Sequence, residues 1–130
     1  MKIGFIGTGV MGSAMIGHLM NAGFEVNIYT RTKSKAEELL KNGAIWQDTP
    51  KKVAENSDVV ITIVGYPSDV EEVYFGKDSI IEGIKAGSIV VDMTTSTPTL
   101  AKKIYEEFKK IGYKIVLHDF VWQLRSDKFE

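Results

Sequence analysis

The 130-residue sequence contains no cysteine, which removes disulfides, thiolate chemistry and cysteine-ligated metal from the functions open to it. Histidine is almost as scarce. His18 and His118 are the two present; neither has a partner at metal-ligand spacing, so both read as structural and no metal site is expected. An excess of one charge is also lacking. Sixteen basic residues against seventeen acidic ones leave a formal net charge of −1. Without a basic stripe or a long like-charge run, neither nucleic acid nor an anionic membrane is indicated as a partner. Long hydrophobic runs are missing as well, and Met1-Lys2 leads directly into a strand pattern. Secretion and membrane spanning are therefore not expected, and the cytoplasm is the default compartment. What remains is one domain, long enough for a core and short for an enzyme with separate cofactor and substrate lobes.

The chain is organised around Ile3-Gly4-Phe5-Ile6-Gly7-Thr8-Gly9-Val10-Met11-Gly12, an apolar strand that runs into a glycine loop and then a helix. In the spacing G-x-G-x-x-G, Gly7 permits the tight turn, Gly9 lets a phosphate approach the backbone, and Gly12 lets helix and strand pack closely. Thr8, Val10 and Met11 fill the variable positions. The helix, about 10–21, would aim free N–H groups and its positive dipole end at a diphosphate, with no acid in its first turn to compete. Met11, Met15, Leu19 and Ala22 supply its apolar spacing. Glu25-Val26-Asn27-Ile28-Tyr29 then forms a second strand and completes a βαβ unit.

That second strand ends at Thr30, eighteen positions after Gly12, near where an NAD-binding unit places an Asp or Glu on the ribose diol. The acid is missing. Thr30-Arg31-Thr32-Lys33-Ser34-Lys35 stands there instead, and a guanidinium can bind a 2′-phosphate through a bidentate, charge-assisted contact that an Asp would repel. Thr30, Arg31, Thr32 and Lys35 are thus candidate binding residues, and NADP(H) is favoured over NAD(H). The same segment also reads as a solvated basic turn with Ser34 or Thr32 capping the next helix. Both can hold at once.

Further along, a short helix over 35–41 turns Ala36, Leu39 and Leu40 inward and stops at Asn42-Gly43. Ala44-Ile45-Trp46 is a brief third strand, and Asp48 or Thr49 caps a helix starting at Pro50. Val59-Val60-Ile61-Thr62-Ile63-Val64 is the most continuous β-branched run, as a strand buried on both faces requires. Gly65-Tyr66-Pro67-Ser68 breaks it, and Ser68-Asp69 caps a helix over 70–75. A fifth strand over 88–93, the loop Thr94-Thr95-Ser96-Thr97-Pro98, a helix over 98–111 and a sixth strand over 113–117 follow. The alternation predicts a single-domain α/β fold: a doubly wound, mostly parallel, six-stranded Rossmann sheet in the order 3-2-1-4-5-6. Right-handed crossovers would gather the loops at 7–12, 30–35, 64–69 and 94–97 along one edge. Thr94, Thr95 and Ser96 bring uncharged hydroxyls to that edge, or form an ordinary Ser/Thr turn before the helix.

Phe5-Ile6-Gly7-Thr8-Gly9-Val10-Met11-Gly12-Ser13-Ala14-Met15, with Leu19, resembles the N-terminal signature of the β-hydroxyacid dehydrogenases. That family includes 3-hydroxyisobutyrate dehydrogenase, glyoxylate and succinic semialdehyde reductases, tartronate semialdehyde reductase and, more distantly, 6-phosphogluconate dehydrogenase. Arg31-Thr32, Ser57-Asp58-Val59-Val60 and Val91-Asp92-Met93-Thr94-Thr95-Ser96-Thr97-Pro98 match in order, so the likeness covers about residues 1–117. It implies that Gly7 to Gly12 hold a pyrophosphate, and Thr30 to Thr32 the adenosine ribose or its phosphate. Val64 and Gly65, with Tyr66 beside them, would hold the cofactor's middle. Asp69 falls where such enzymes often place a cofactor-contacting side chain, Thr95 matches a threonine near the nicotinamide, and Ser96 falls on the substrate side. Thr8 for the common Leu and His18 for the common Asn are mild departures.

After Leu117 the resemblance stops. Asp119 could open the family's D-A-P-V-S-G-G substrate segment, but Phe120-Val121-Trp122-Gln123-Leu124-Arg125 contains none of its glycines, so residues 118–130 read as a divergent tail. The family's catalytic lysine and all-helical dimerisation domain lie in segments not found among these residues, and no catalytic residue is assigned. Lys102, Lys103, Lys109 and Lys110 read as a solvated face beside Glu106 and Glu107. The resemblance thus implies the cofactor-binding part of an NADP(H)-dependent oxidoreductase that passes a hydride between nicotinamide and a short 3-hydroxyacid or semialdehyde. The chain is expected to be truncated and inactive alone, the substrate being a partner only of a full-length relative. The alternative is a non-catalytic nucleotide-binding module, or one that self-associates as a homodimer through Phe120, Val121, Trp122, Leu124 and Phe129.

Overall fold

The computed structural model describes residues 1–7, 9–63, 67–85, 87–92, 98–110, 113–118 and 121–126. Its centre is β1 (Lys2–Ile6), where only Lys2 is exposed and the next four residues are buried. β1 pairs in parallel with β2 (Glu25–Tyr29) on one side and β4 (Val59–Thr62) on the other. β3 (Ile45–Trp46) extends the sheet beyond β2, and β5 (Ile89–Asp92) extends it beyond β4, both in parallel. Because side chains alternate across a strand, Ile3 and Phe5 enter one apolar layer with Ile16, Val26, Ile28, Leu39 and Ile61. Ile6 enters the other, with Val53, Val60, Tyr74, Ile80, Val90, Ile104 and Phe108. A core on each face is what double winding produces.

The helices that cover these faces are α1 (Val10–Asn21), α2 (Glu37–Lys41), α3 (Pro50–Glu55), α4 (Pro67–Phe75), α5 (Ile80–Gly83) and α6 (Pro98–Lys110). Local chemistry explains several of their ends. Thr49 accepts the Lys52 N–H at 3.1 Å and Pro50 occupies the first helical position of α3, so one orphan donor is satisfied and a second is absent. Gly4 in β1 admits α3: a Cβ there would meet Ser57 Oγ and Val53 Cγ1, each at 2.5 Å. In α1 the buried stripe differs from the predicted one. Ile16 is fully buried, Met15 and Leu19 are partly covered, and Ala22 is exposed at the helix end. The helix is drawn onto the sheet at Gly12, which turns Ile16 rather than Ala22 toward the strands.

The far edge differs from expectation too. Among the described residues the sheet has seven strands in the order β3-β2-β1-β4-β5-β7-β6, not six in the order 3-2-1-4-5-6. β6 (Tyr113–His118) does not lie beside β5. β7 (Val121–Ser126) stands between them, antiparallel to both, with Val90 opposite Trp122 and His118 opposite Val121. Strands separated by two residues pair as a hairpin at little closure entropy, and this pairing uses part of the segment that reads in sequence as a divergent tail. Among the described residues, no helix is long and apolar enough to cross a membrane.

Candidate functional site

The parallel strands deliver the carboxyl ends of β1, β2 and β4 to one edge of the sheet. At the end of β1, Gly7 has φ +98°, a left-handed conformation that favours glycine. Its N–H donates to the Tyr29 carbonyl at 2.9 Å, tying that turn to the end of β2. Gly9 precedes α1 with φ −64° and ψ −174° and accepts the Ser13 N–H at 2.8 Å. Among the described residues no side chain caps the helix, and its first turn holds no acid. Gly12 is buried against the turn: a Cβ there would lie 2.8 Å from the Gly7 carbonyl oxygen and 3.4 Å from the Phe5 ring. Among the described residues, a Cβ on Gly9 would meet nothing within 4 Å. One glycine makes the turn, one faces open space at a positive helix end, and one permits helix and strand to touch. The open face and the acid-free first turn fit the approach of a diphosphate.

At the end of β2, Thr30 is half-buried and Arg31, Thr32 and Lys35 are exposed. Thr32 opens a short 3₁₀ turn (Lys33–Ala36), where the Lys35 N–H donates to the Thr32 carbonyl at 3.0 Å; no side chain caps that turn. Lys33 Nζ stands 5.3 Å from the centre of the Trp46 ring. Arg31 turns toward α4. Its Nη2 donates to Asp69 Oδ1 at 2.7 Å and to Glu72 Oε2 at 3.2 Å. The Asp69 hydrogen bond first, then the charges of Asp69 and Glu72, raise the guanidinium's pKa above its ordinary value.

Two sequence-predicted residues, Arg31 and Asp69, are therefore brought into direct contact. Glu72 was missed, although its i,i+3 spacing from Asp69 places both on one helix face. Thr8, Val64, Gly65, Tyr66, Thr95 and Ser96 lie outside the described residues. Val10 and Met11 open α1, and their side chains are also outside the description. Lys103 departs from a merely solvated reading: its Nζ meets Glu71 Oε1 at 2.5 Å and stands 5.3 Å over the Phe75 ring, linking α6 to α4. Among the described residues, no group of three or more histidine, aspartate and glutamate side chains could hold a metal ion.

Residues 2–117 match the family described as the NAD binding domain of 6-phosphogluconate dehydrogenase. The chain belongs to that family. It is 60% identical over 108 residues to the uncharacterized oxidoreductase YkwC of Bacillus subtilis, covering 83% of this chain and 38% of that one. It is 55% identical over 104 residues to the probable 3-hydroxyisobutyrate dehydrogenase-like 1, mitochondrial, of Arabidopsis thaliana, covering 79% of this chain and 31% of that one. The chain thus spans about a third of the length of these curated relatives. Among solved structures it is similar to Psf3 in complex with NADP+ and 2-OPP, with TM-score 0.77 and 26% identity over 88% of this chain and 43% of that one. In this NAD-binding domain the glycine turn, the open face at Gly9 and the Arg31 cluster all lie at the carboxyl edge of the sheet, where open α/β sheets bind ligands.

Proposed function

We propose that this NAD-binding domain holds NADP(H) for an oxidoreductase resembling 3-hydroxyisobutyrate dehydrogenase. The observation that carries the reading is the contrast between Gly9 and Gly12: one would-be side chain enters open space at the α1 N-terminus, the other strikes backbone. A diphosphate laid over Gly9 would meet the first N–H groups of α1, which have no partner within the helix. Arg31, with Thr30, Thr32 and Lys35 around it, would receive a 2′-phosphate. Val64 and Gly65, with Tyr66 beside them, are assigned to the middle of the cofactor, Asp69 to a cofactor contact beside Arg31, Thr95 to the nicotinamide end and Ser96 to the substrate side. The solved relative bound to NADP+ supports this choice of nucleotide.

When bound, the nicotinamide supplies or accepts a hydride, the substrate being a short 3-hydroxyacid or semialdehyde. The residues of this chain bind and orient; none is assigned the proton transfer that the alcohol oxygen requires. The 130-residue polypeptide is therefore expected to bind NADPH without oxidising it. Thermal denaturation with NADPH and NADH side by side, repeated for Arg31→Asp, tests the cofactor. Ligand at about a hundred times its Kd stabilises by about 2.7 kcal/mol, or roughly 8–13 °C for a domain of this size. NADPH is expected to give the larger shift, and Arg31→Asp to erase or reverse the difference. Equal shifts refute the NADP(H) preference, and no shift with either refutes binding. Steady NADPH oxidation by the unmodified chain with succinic semialdehyde or glyoxylate refutes the expectation of no turnover.

A further inference from the structure

Asp69 and Glu72 both reach the same nitrogen of Arg31, at 2.7 and 3.2 Å. The helix that carries them also contacts α6: Glu71, about 100° around the axis from Glu72, pairs with Lys103. The two partners of Arg31 differ in their surroundings. The Asp69 side chain is 21% exposed and that of Glu72 is 70% exposed, so Asp69 positions the guanidinium and Glu72 adds a second, solvated negative charge. Both N–H groups of Nη2 are thereby used. A planar guanidinium carries further N–H donors on Nη1 and Nε, the groups with which Arg31 would meet an external anion.

We infer that Glu72 is a specificity-determining residue of the nucleotide site: by drawing on the Arg31 guanidinium beside the 2′-phosphate position, it holds down NADP(H) affinity and leaves NAD(H) affinity nearly untouched. The inference rests on Arg31 being the phosphate partner. A 2′-phosphate carries about −2 charge, whereas the ribose diol of NAD(H) carries none. Two anions that bind different edges of one guanidinium would stand roughly 7 Å apart, the separation that enters Coulomb's law. At that separation in a water-like medium their repulsion corresponds to roughly a three- to tenfold difference in Kd at low salt. It should fade where the Debye length falls to about 3 Å.

The test measures Kd for NADPH and NADH with the full chain, unmodified and as Glu72→Gln and Glu72→Asp, at low and at about 1 M ionic strength. Glu72→Gln is expected to tighten NADPH about three- to tenfold at low salt and to change NADH by less than about twofold, the gain shrinking at high salt. Glu72→Asp keeps the charge and should keep the NADPH-to-NADH ratio of the unmodified chain. If Glu72→Gln leaves that ratio unchanged, or tightens both nucleotides equally, the inference is overturned while the cofactor assignment stands. If the unmodified chain binds neither nucleotide, the cofactor assignment fails and the inference falls with it.

Discussion

Alanine at position 12 would place its Cβ 2.8 Å from the Gly7 carbonyl oxygen, closer than carbon and oxygen can sit without something moving. The obstacle is backbone, held in place by the Gly7 N–H donating to Tyr29 at 2.9 Å, so it cannot swing aside as the tip of a long side chain would. The start of α1 has to lift, and lifting it loosens Ile16, which is fully buried. Overpacking of this kind costs about 2–3 kcal/mol. The better helix propensity of alanine offsets about 0.5–1 kcal/mol of that, leaving about 1–2.5 kcal/mol, or a Tm lower by roughly 3–12 °C. Gly9→Ala is the matched control. Its φ of −64° and ψ of −174° are open to alanine, and its Cβ would touch nothing within 4 Å. Its Tm should stay within about 2 °C of the unmodified chain, yet most of the stabilisation by NADPH should disappear, because the methyl group occupies the face assigned to the diphosphate. Scanning calorimetry with and without NADPH reads both effects. A Gly12→Ala chain that melts with the unmodified one, or a Gly9→Ala chain with an undiminished NADPH response, would refute the division of labour between these glycines.

Two further predictions concern the scaffold. Phe108 is fully buried and meets the Tyr74 ring edge-on at 6.2 Å; Phe108→Ala should cost about 3–5 kcal/mol, read from the urea midpoint at unchanged slope, and a loss below about 1 kcal/mol would show that this aromatic cluster is not a packing centre. Asp58 accepts the Lys2 N–H at 2.9 Å, and that hydrogen bond, aided by Lys85, holds its pKa below the usual carboxylate value. A depressed folded-state pKa contributes stability above the ordinary carboxylate range and loses it as the pH falls through the folded value. The Tm gap between the unmodified chain and Asp58→Asn should therefore be open at about pH 7 and close toward about pH 2; a gap that persists in acid would contradict the assignment.

The parts of this protein legible in sequence are those whose physics is local. The spacing of Gly7, Gly9 and Gly12, the β-branched run from Val59, and the pairing of Thr49 with Pro50 each act within a few residues. They place the strand, glycine turn, helix unit and the sheet order through β5. The stripe of α1 is legible in part: Met15 and Leu19 pack against the core as their spacing predicts, whereas Ile16 is chosen by where Gly12 lets the helix touch the sheet. The position of β7 depends on a hairpin competing with a parallel pairing for the edge of β5, a contest between distant strands that no window of residues encodes.

The candidate site divides in the same way. A basic turn with Arg31 can be read at the end of β2, but its charge environment cannot. Asp69 and Glu72 stand 38 and 41 residues further along the chain, and they meet the guanidinium because parallel strands deliver successive loops to one edge. Residue type and spacing determined which chemical groups this protein could offer a nucleotide. Only the tertiary structure decided which of those groups already hold one another, since Coulomb attraction acts through space and the fold sets the distance.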